Sequence, residues 1–286
     1  MLDFLVIQSL NGMVYSMLLF LLALGLSLTF GMLRVVNLAH GSFFLLGAYA
    51  GLTMWVLSKS IWLSVTVGTL AVALVGAVVE RVFLERFYKR SDLDQVILTF
   101  GFALVISDVM KMIWGKDIRS LPPPINGAIE ISGILFPQYR LFLILIGVVL
   151  FGLTWLSIER TRIGAIIRAA VADRIMVSGL GFDLRFLFTA VFAFGTGIAA
   201  LAGILGAPIT SVYPGLDFEI LITTLIVVVV GGLGSISGVF WASILIGMTD
   251  TFGKAVYPAA ASFSTFTMMA LVLLIRSHGH DEEELE

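Results

Sequence analysis

Residues Leu10–Phe30 run without a single charged side chain. At a helical rise of about 1.5 Å per residue, such a run is long enough to cross the hydrocarbon core of a bilayer. Lipid offers no water to unpaired backbone groups, so a chain that spans it must be helical or a closed barrel. The lengths here select helices. Comparable runs recur at Ile61–Leu84, Leu93–Trp114, Leu141–Ile158 and Phe186–Ala207, with a shorter one at Phe263–Ile275. Hydrophobic residues make up 59% and charged residues 13% of the chain, a balance outside the range of soluble domains. The expected fold class is all-α, a polytopic transmembrane helical bundle. The first run has neither a basic leader nor a small-residue cleavage pattern, so it reads as a retained span.

One long polar interlude, Glu159–Arg185, fixes the orientation. Arg160, Arg162, Arg168, Arg174 and Arg185 stand there beside Glu159, Asp173 and Asp183, too much charge for lipid. Lys and Arg near span ends mark the cytoplasmic side, which places this interlude and the basic loop Glu85–Asp92 inside and Gly115–Tyr139 outside. The spacing predicts a short helix over Gly164–Ser178, ended by Gly179 or Gly181. A solvated loop has no use for Ile163, Ile166, Ile167, Ile175, Met176, Val177, Leu180 and Phe182, and an apolar patch of that kind marks an interaction surface. The helix is built to be covered by another protein.

Two hydrophobic segments are interrupted, one in each half. Arg34, Asn37, His40 and two glycines break the run between Gly31 and Ser42, which can be a cytoplasmic turn or a re-entrant break at membrane depth. Gly231-Gly-Leu-Gly-Ser-Ile-Ser-Gly238 breaks the run that begins at Phe218. Paired breaks in corresponding positions point to internal repeats whose gaps line a path through the membrane. Candidate path residues are Asn37, His40, Gly41 and Ser42 from the first break and Gly231, Gly232, Gly234 and Ser235 from the second. Asn37 and His40 can cap the broken helix, line the path, or do both. The glycines serve backbone freedom and close packing. Counting each broken segment as two passes gives nine crossings, N-terminus outside and C-terminus inside. The Pro208–Asp217 stretch is expected to be an external turn, and Glu80 to pair with Arg81 or reach the interface.

Catalytic machinery is not expected. The only Gly-Lys pairs, Gly115-Lys116 and Gly253-Lys254, lack the following Ser or Thr of a phosphate cradle, so ATP hydrolysis belongs to a partner if it occurs. With no cysteine and with His40 far in sequence from His278 and His280, no metal site and no cofactor are expected. Nothing points to nucleic acid. The chain divides into a membrane domain over 1–276 and a polar tail over 277–286. Without the last ten residues the formal charge moves from −2 to +3, because 17 Lys and Arg then face 14 acids.

With these residues in place, the chain resembles the LivH-like permease subunits of branched-chain amino acid ABC importers from about Leu10 to Arg276. The resemblance rests on Gly25-Leu-Ser-Leu-Thr-Phe-Gly31, on Arg34-Val-Val-Asn-Leu-Ala-His-Gly41 followed by Gly47-Ala-Tyr49, on Arg168-Ala-Ala-Val-Ala-Asp-Arg174 ending in Gly179-Leu-Gly181, and on the Gly231–Gly238 run. It implies a multi-pass protein of a bacterial or archaeal plasma membrane. It implies that Arg168, Ala169, Ala170, Asp173, Arg174, Met176, Leu180 and Gly181 belong to a coupling segment docked on an ATPase. Implied partners are a LivM-like permease or a second copy, two cytoplasmic ATPase subunits, an extracytoplasmic binding protein and membrane lipid. Ser42 stands where many members carry an acid, and the tail lacks their Pro-Gln-Gly-Leu-Phe-Gly-like ending. Importers of urea and short amides are built on related chains, and urea, short amides or other small polar solutes are the alternative cargo. An ion-coupled transporter would need mid-span charges, which this reading does not find, and a simple channel has no use for the apolar residues of Glu159–Arg185.

Overall fold

A computed structural model describes residues 1–131, 133–258 and 261–283, with the side chains of 2, 261–262 and 275–283 left aside. The acidic side chains of the tail therefore lie outside the described residues. Helix α1 (Leu2–Leu33) is followed by α2 (His40–Ser58), α3 (Ile61–Phe87) and α4 (Asp92–Trp114). A β-hairpin, β1 (Ala128–Ile131) and β2 (Ile134–Pro137), pairs antiparallel with Ile129 opposite Phe136. Then come α5 (Gln138–Arg160), α6 (Arg162–Ala172), α7 (Arg174–Gly179), α8 (Leu184–Gly206), α9 (Leu216–Gly231), α10 (Ile236–Val256) and α11 (Ala261–Glu283). Seven of these helices are long and apolar enough to cross a membrane, and the protein is a multi-pass membrane protein. Glu85 pairs with Arg185 at 3.3 Å, so the two basic segments share one end of the bundle, called here the basic end. The other is the hairpin end.

Helix α1 is the mast. Its most apolar stretch is 89% buried against 17% for that of α5, and Leu19, Phe20, Leu22, Ala23 and Leu24 are fully enclosed. What allows this is the seam of small residues along it. A Cβ on Gly25 would lie 2.4 Å from the carbonyl oxygen of Gly195 in α8, and one on Gly31 would lie 2.7 Å from the Cα of Gly234. Backbones meet there directly, the mode by which membrane helices gain dispersion contacts that lipid cannot match. Phe20, Phe151 and Phe240 fill the space between α1, α5 and α10, the last two stacked at 4.0 Å.

The polar interlude forms two helices rather than one. Asp173 breaks it in an extended conformation, and its carboxylate caps α7 by accepting from the Met176 amide at 3.0 Å. Gly181, at φ 87°, makes the stop expected of it. The Gly231–Gly238 run is a tight turn at the basic end, not a gap at membrane depth. Gly231 and Gly238 already lie in α9 and α10, Ser235 caps α10 through the Gly238 amide at 3.1 Å, and Ser27 of α1 accepts from the Gly234 amide at 3.0 Å. Glu80 sits in a π-helical turn of α3, Glu80–Leu84, and accepts from Tyr88 and Thr189. Arg81, its expected partner, instead pairs with Glu85. Asp108 and Lys111, three apart on α4, form an ion pair at 2.9 Å.

Candidate translocation path and coupling surface

The first break re-enters the bundle. After α1 ends at Leu33, Arg34 takes a left-handed conformation and the chain turns back along its own helix. The His40 Nε2 then donates to the Leu22 carbonyl at 2.9 Å, a position about 16 Å back along α1. The irregular strand of chain between them, 34–39, is held by Thr99 of α4, which accepts from the Leu38 amide and donates to the Val36 carbonyl, each at 3.2 Å. Asn37 closes an Asx turn by accepting from the Ala39 amide at 3.0 Å. Helix α2 therefore starts in the interior and runs to the hairpin end, where Tyr49 stacks on Trp114 and Thr53 accepts from the Trp114 indole at 2.8 Å.

A second re-entry comes from the opposite end, in a place the sequence reading missed. Pro208–Asp217 was expected to be an external turn, but residues 207–215 descend from α8 into the bundle and α9 starts inside it after Gly215. The first turn of α9 meets the first turn of α2. The Ser42 hydroxyl donates to Asp217 Oδ2 at 3.0 Å, and a Cβ on Gly41 would stand 2.1 Å from the Asp217 carbonyl oxygen. Two half-helices of opposite direction thus touch N-terminus to N-terminus. Asp217 is the mid-bundle carboxylate that was thought absent, and it is 1% exposed. Asp217 Oδ1, Asn37 Nδ2 and His40 Nδ1 have no hydrogen-bond partner, a concentration of unmet polar atoms in the otherwise apolar centre. Gly215 with a first-turn acid two residues on is a helix-start signal that marks this site in the sequence.

The candidate path residues therefore fall into two groups. Asn37, His40, Gly41 and Ser42 gather at the centre with Asp217. Gly231, Gly232, Gly234 and Ser235 gather at the basic end, where Gly234 packs on Gly31 and not on the His40 group. Toward the hairpin end a cavity of about 490 Å³ opens between α1, α5, α10 and residues 209–210. Arg140, Asp250 and Lys254 line it with Asn11 and Thr210, and Lys254 pairs with Asp250 at 2.6 Å while lying 5.5 Å from the Tyr15 ring. Val14, Leu18 and Ile209 supply an apolar wall.

The interlude separates into inward and outward faces. Ala170 and Val177 are buried, Ala169 is partly so, and Arg168 turns back to the end of α5, reaching the Ile158 carbonyl and Glu159 at 3.6 Å. Arg174 also turns inward, donating to the Met32 carbonyl of α1 at 2.8 Å. Burial first, and the Arg34 guanidinium second, lower its pKa from the ordinary arginine value, and Tyr88 opposes them. Burial, then the hydrogen bond to Glu80, raises the pKa of the Tyr88 phenol far beyond the usual tyrosine range. Ile175, Met176, Leu180 and Phe182 are each exposed, as is Ile163 in α6.

Because the chain is free of cysteine, single cysteines report its sidedness. Ser178, Ser91 and Asn126 are exposed positions for them. In intact cells an impermeant thiol reagent is expected to modify Asn126→Cys and to spare Ser91→Cys and Ser178→Cys until the membrane is opened. The reverse pattern would invert the orientation.

Residues 8–276 match the family model described as branched-chain amino acid transport system / permease component. The high-affinity branched-chain amino acid transport system permease protein BraD of Pseudomonas aeruginosa is 26% identical over 289 residues, covering 95% of this chain and 94% of that protein. LivH of Escherichia coli, of the same description, is 24% identical over 291 residues, with the same coverage. The probable branched-chain amino acid transport permease protein LivH of Methanocaldococcus jannaschii is 27% identical over 271 residues, 89% of this chain and 82% of that protein. No solved structure matches the chain. One family model thus accounts for nearly the whole chain, and the chain belongs to the branched-chain amino acid permease family, as a transport subunit and not an enzyme.

Proposed function

We propose that this protein imports branched-chain or closely related amino acids across a bacterial or archaeal plasma membrane, as one permease subunit of an ATP-driven assembly. Two ATPase subunits dock at the basic end, which faces the cytoplasm. A second permease, LivM-like or another copy, stands beside it, and an extracytoplasmic binding protein delivers the solute to the hairpin end. The carrying observation is the exposure of the apolar side chains of Ile175, Met176, Leu180 and Phe182 within the polar interlude Glu159–Arg185. Water does not favour such a face, and a partner's cleft does. The hairpin-end cavity supports a zwitterionic cargo, since Arg140 and Lys254 suit a carboxylate, Asp250 an ammonium, and the apolar wall a branched side chain. That mix of opposite charges favours an amino acid over urea or a neutral amide.

The test is Met176→Asp with Leu180→Asp. Placing carboxylates at the centre of a docked apolar face is expected to weaken ATPase co-purification by about tenfold or more and to remove uptake. Insertion should be unchanged, because both side chains already face away from the bundle. Full ATPase recovery together with normal uptake would refute the docking face.

A further inference from the structure

Arg174 of the coupling segment points into the bundle, and its guanidinium meets two other elements. Its Nη2 donates to the Met32 carbonyl, in the last turn of α1 and two residues before the left-handed Arg34 that starts the re-entrant strand. Its guanidinium lies 5.2 Å from the Phe188 ring of α8. Phe188 in turn meets the Tyr88 ring edge to face at 5.5 Å, and Tyr88 and Thr189 both donate to the buried Glu80 in the π-helical turn of α3. Single π turns inside α-helices are rare and fall frequently at functional sites. Here the extra residue brings a buried carboxylate to two hydroxyls from beyond α3 and from α8.

We propose that Arg174 is a positioning residue for transport, a tether that carries displacement of the coupling segment into the re-entrant strand 34–39 while Glu80, Tyr88 and Thr189 hold the fixed side against which it moves. This rests on the reading of α6 and α7 as the coupling segment. The mechanical reason is the asymmetry of the two ends. α7 is a short helix joined to its neighbours by the extended Asp173 and by Gly181 at positive φ, so it can shift as a unit. The strand after Met32 is pinned along its length to Thr99 and at its far end to Leu22. A guanidinium can hold a carbonyl and a ring face at once because it is planar with donors along its rim. Moving α7 therefore either pulls the end of α1 and the start of the strand or breaks a charge-assisted hydrogen bond.

The bland reading is a cap on the last carbonyls of α1, which basic side chains often supply. The two readings differ in what is lost. The experiment uses the transporter assembled with its ATPase partners in proteoliposomes, with Val36→Cys as a single thiol on the re-entrant strand. In that background, thiol labelling is expected to change between the nucleotide-free and ATP-bound states. Arg174→Gln should leave the ATPases bound, abolish the nucleotide dependence of labelling at position 36, and lower uptake per ATP hydrolysed by about fivefold or more. Arg174→Lys, which keeps a donor but loses the plane, should recover part of both. Phe188→Leu, which keeps the apolar volume, should give a smaller loss of the same kind and serves if Arg174→Gln proves unstable. Nucleotide-dependent labelling and coupling that survive Arg174→Gln would leave only the cap. Labelling that is insensitive to nucleotide before any change at 174 would show that the strand does not move, and overturn the tether too. Loss of ATPase co-purification in Arg174→Gln would make Arg174 a docking residue instead. ATPases that also remain bound in Met176→Asp with Leu180→Asp would mark the coupling reading itself as the failure, a result independent of position 36.

Discussion

Gly41→Val is expected to abolish uptake while leaving the protein in the membrane with its partners attached. The added Cβ would meet the Asp217 carbonyl oxygen at 2.1 Å and the Leu221 Cβ at 3.0 Å, and the first of these is backbone that no rotamer change can clear. The first turns of α2 and α9 must then part. Overpacking of this kind costs about 1–3 kcal/mol or more, and here it falls where the two half-helices hold each other, so a drop in uptake of about a hundredfold is expected. Gly101→Val is the matched control, because a Cβ there meets nothing within 4 Å. Uptake by radiolabelled leucine, normalised to co-purified ATPase, checks both. Normal uptake in Gly41→Val would mean that the contact between the half-helices is dispensable.

Asp217→Ala should come next in severity, and Asp217→Asn should separate the reasons. Alanine leaves the buried Ser42 hydroxyl with only the Ala103 carbonyl at 3.5 Å, and losing a hydrogen bond to a charged group in the interior costs about 1.5–3 kcal/mol. Asparagine keeps an acceptor for Ser42 and removes the charge. If the carboxylate only joins α2 to α9, the Asn variant transports nearly as well as the parent and the Ala variant falls about tenfold or more. If the charge itself is used by a passing ammonium, both fall. Uptake and thermal stability measured side by side distinguish these outcomes, and an alanine variant unchanged in both would remove Asp217 from the path.

The helices were legible in the sequence because lipid leaves so few options. Runs such as Leu10–Phe30 and Leu141–Ile158 could only be spans, and the charge of Glu159–Arg185 could only lie outside them. The first break was legible too, through Arg34, Asn37 and His40. The second was misplaced for a physical reason. Glycine-rich stretches look alike whether they form a gap at membrane depth or a tight turn between packed helices, and Gly231–Gly238 is the latter. The true re-entry at 207–215 is announced only by Pro208, Pro214 and Gly215, which read equally well as a surface turn. Asp217 was counted with that turn because a buried carboxylate and a solvated one have the same letter. Glu80 was misjudged in the same way. Arg81 is its neighbour in sequence, but the π turn presents Glu80 to Tyr88 and Thr189. Within the coupling segment, periodicity found the apolar residues, but only packing could show that Val177 turns in and Met176 out.

The enclosure of α1 has a consequence for how the chain is made. Helix α1 leaves the ribosome well before α8, α9 and α10, on which most of its burial depends and which are synthesised more than a hundred residues later. Until then it lacks the neighbours that cover most of it, with α5 its main earlier partner. Its composition permits that, because its mean hydropathy of 2.1 over the best window suits it to solitary insertion, and its polar side chains are largely self-sufficient. The Ser16 hydroxyl donates to Gly12 at 2.7 Å, and the Thr29 hydroxyl to Leu26 at 2.9 Å, both within the same helix. Its glycines stay lined with lipid tails in that interval and exchange them for the backbones of Gly195 and Gly234 only once the late helices arrive. Nascent chains halted before Leu184 should therefore insert stably but remain open to membrane proteases along α1, and they should gain protection abruptly when synthesis passes Val256.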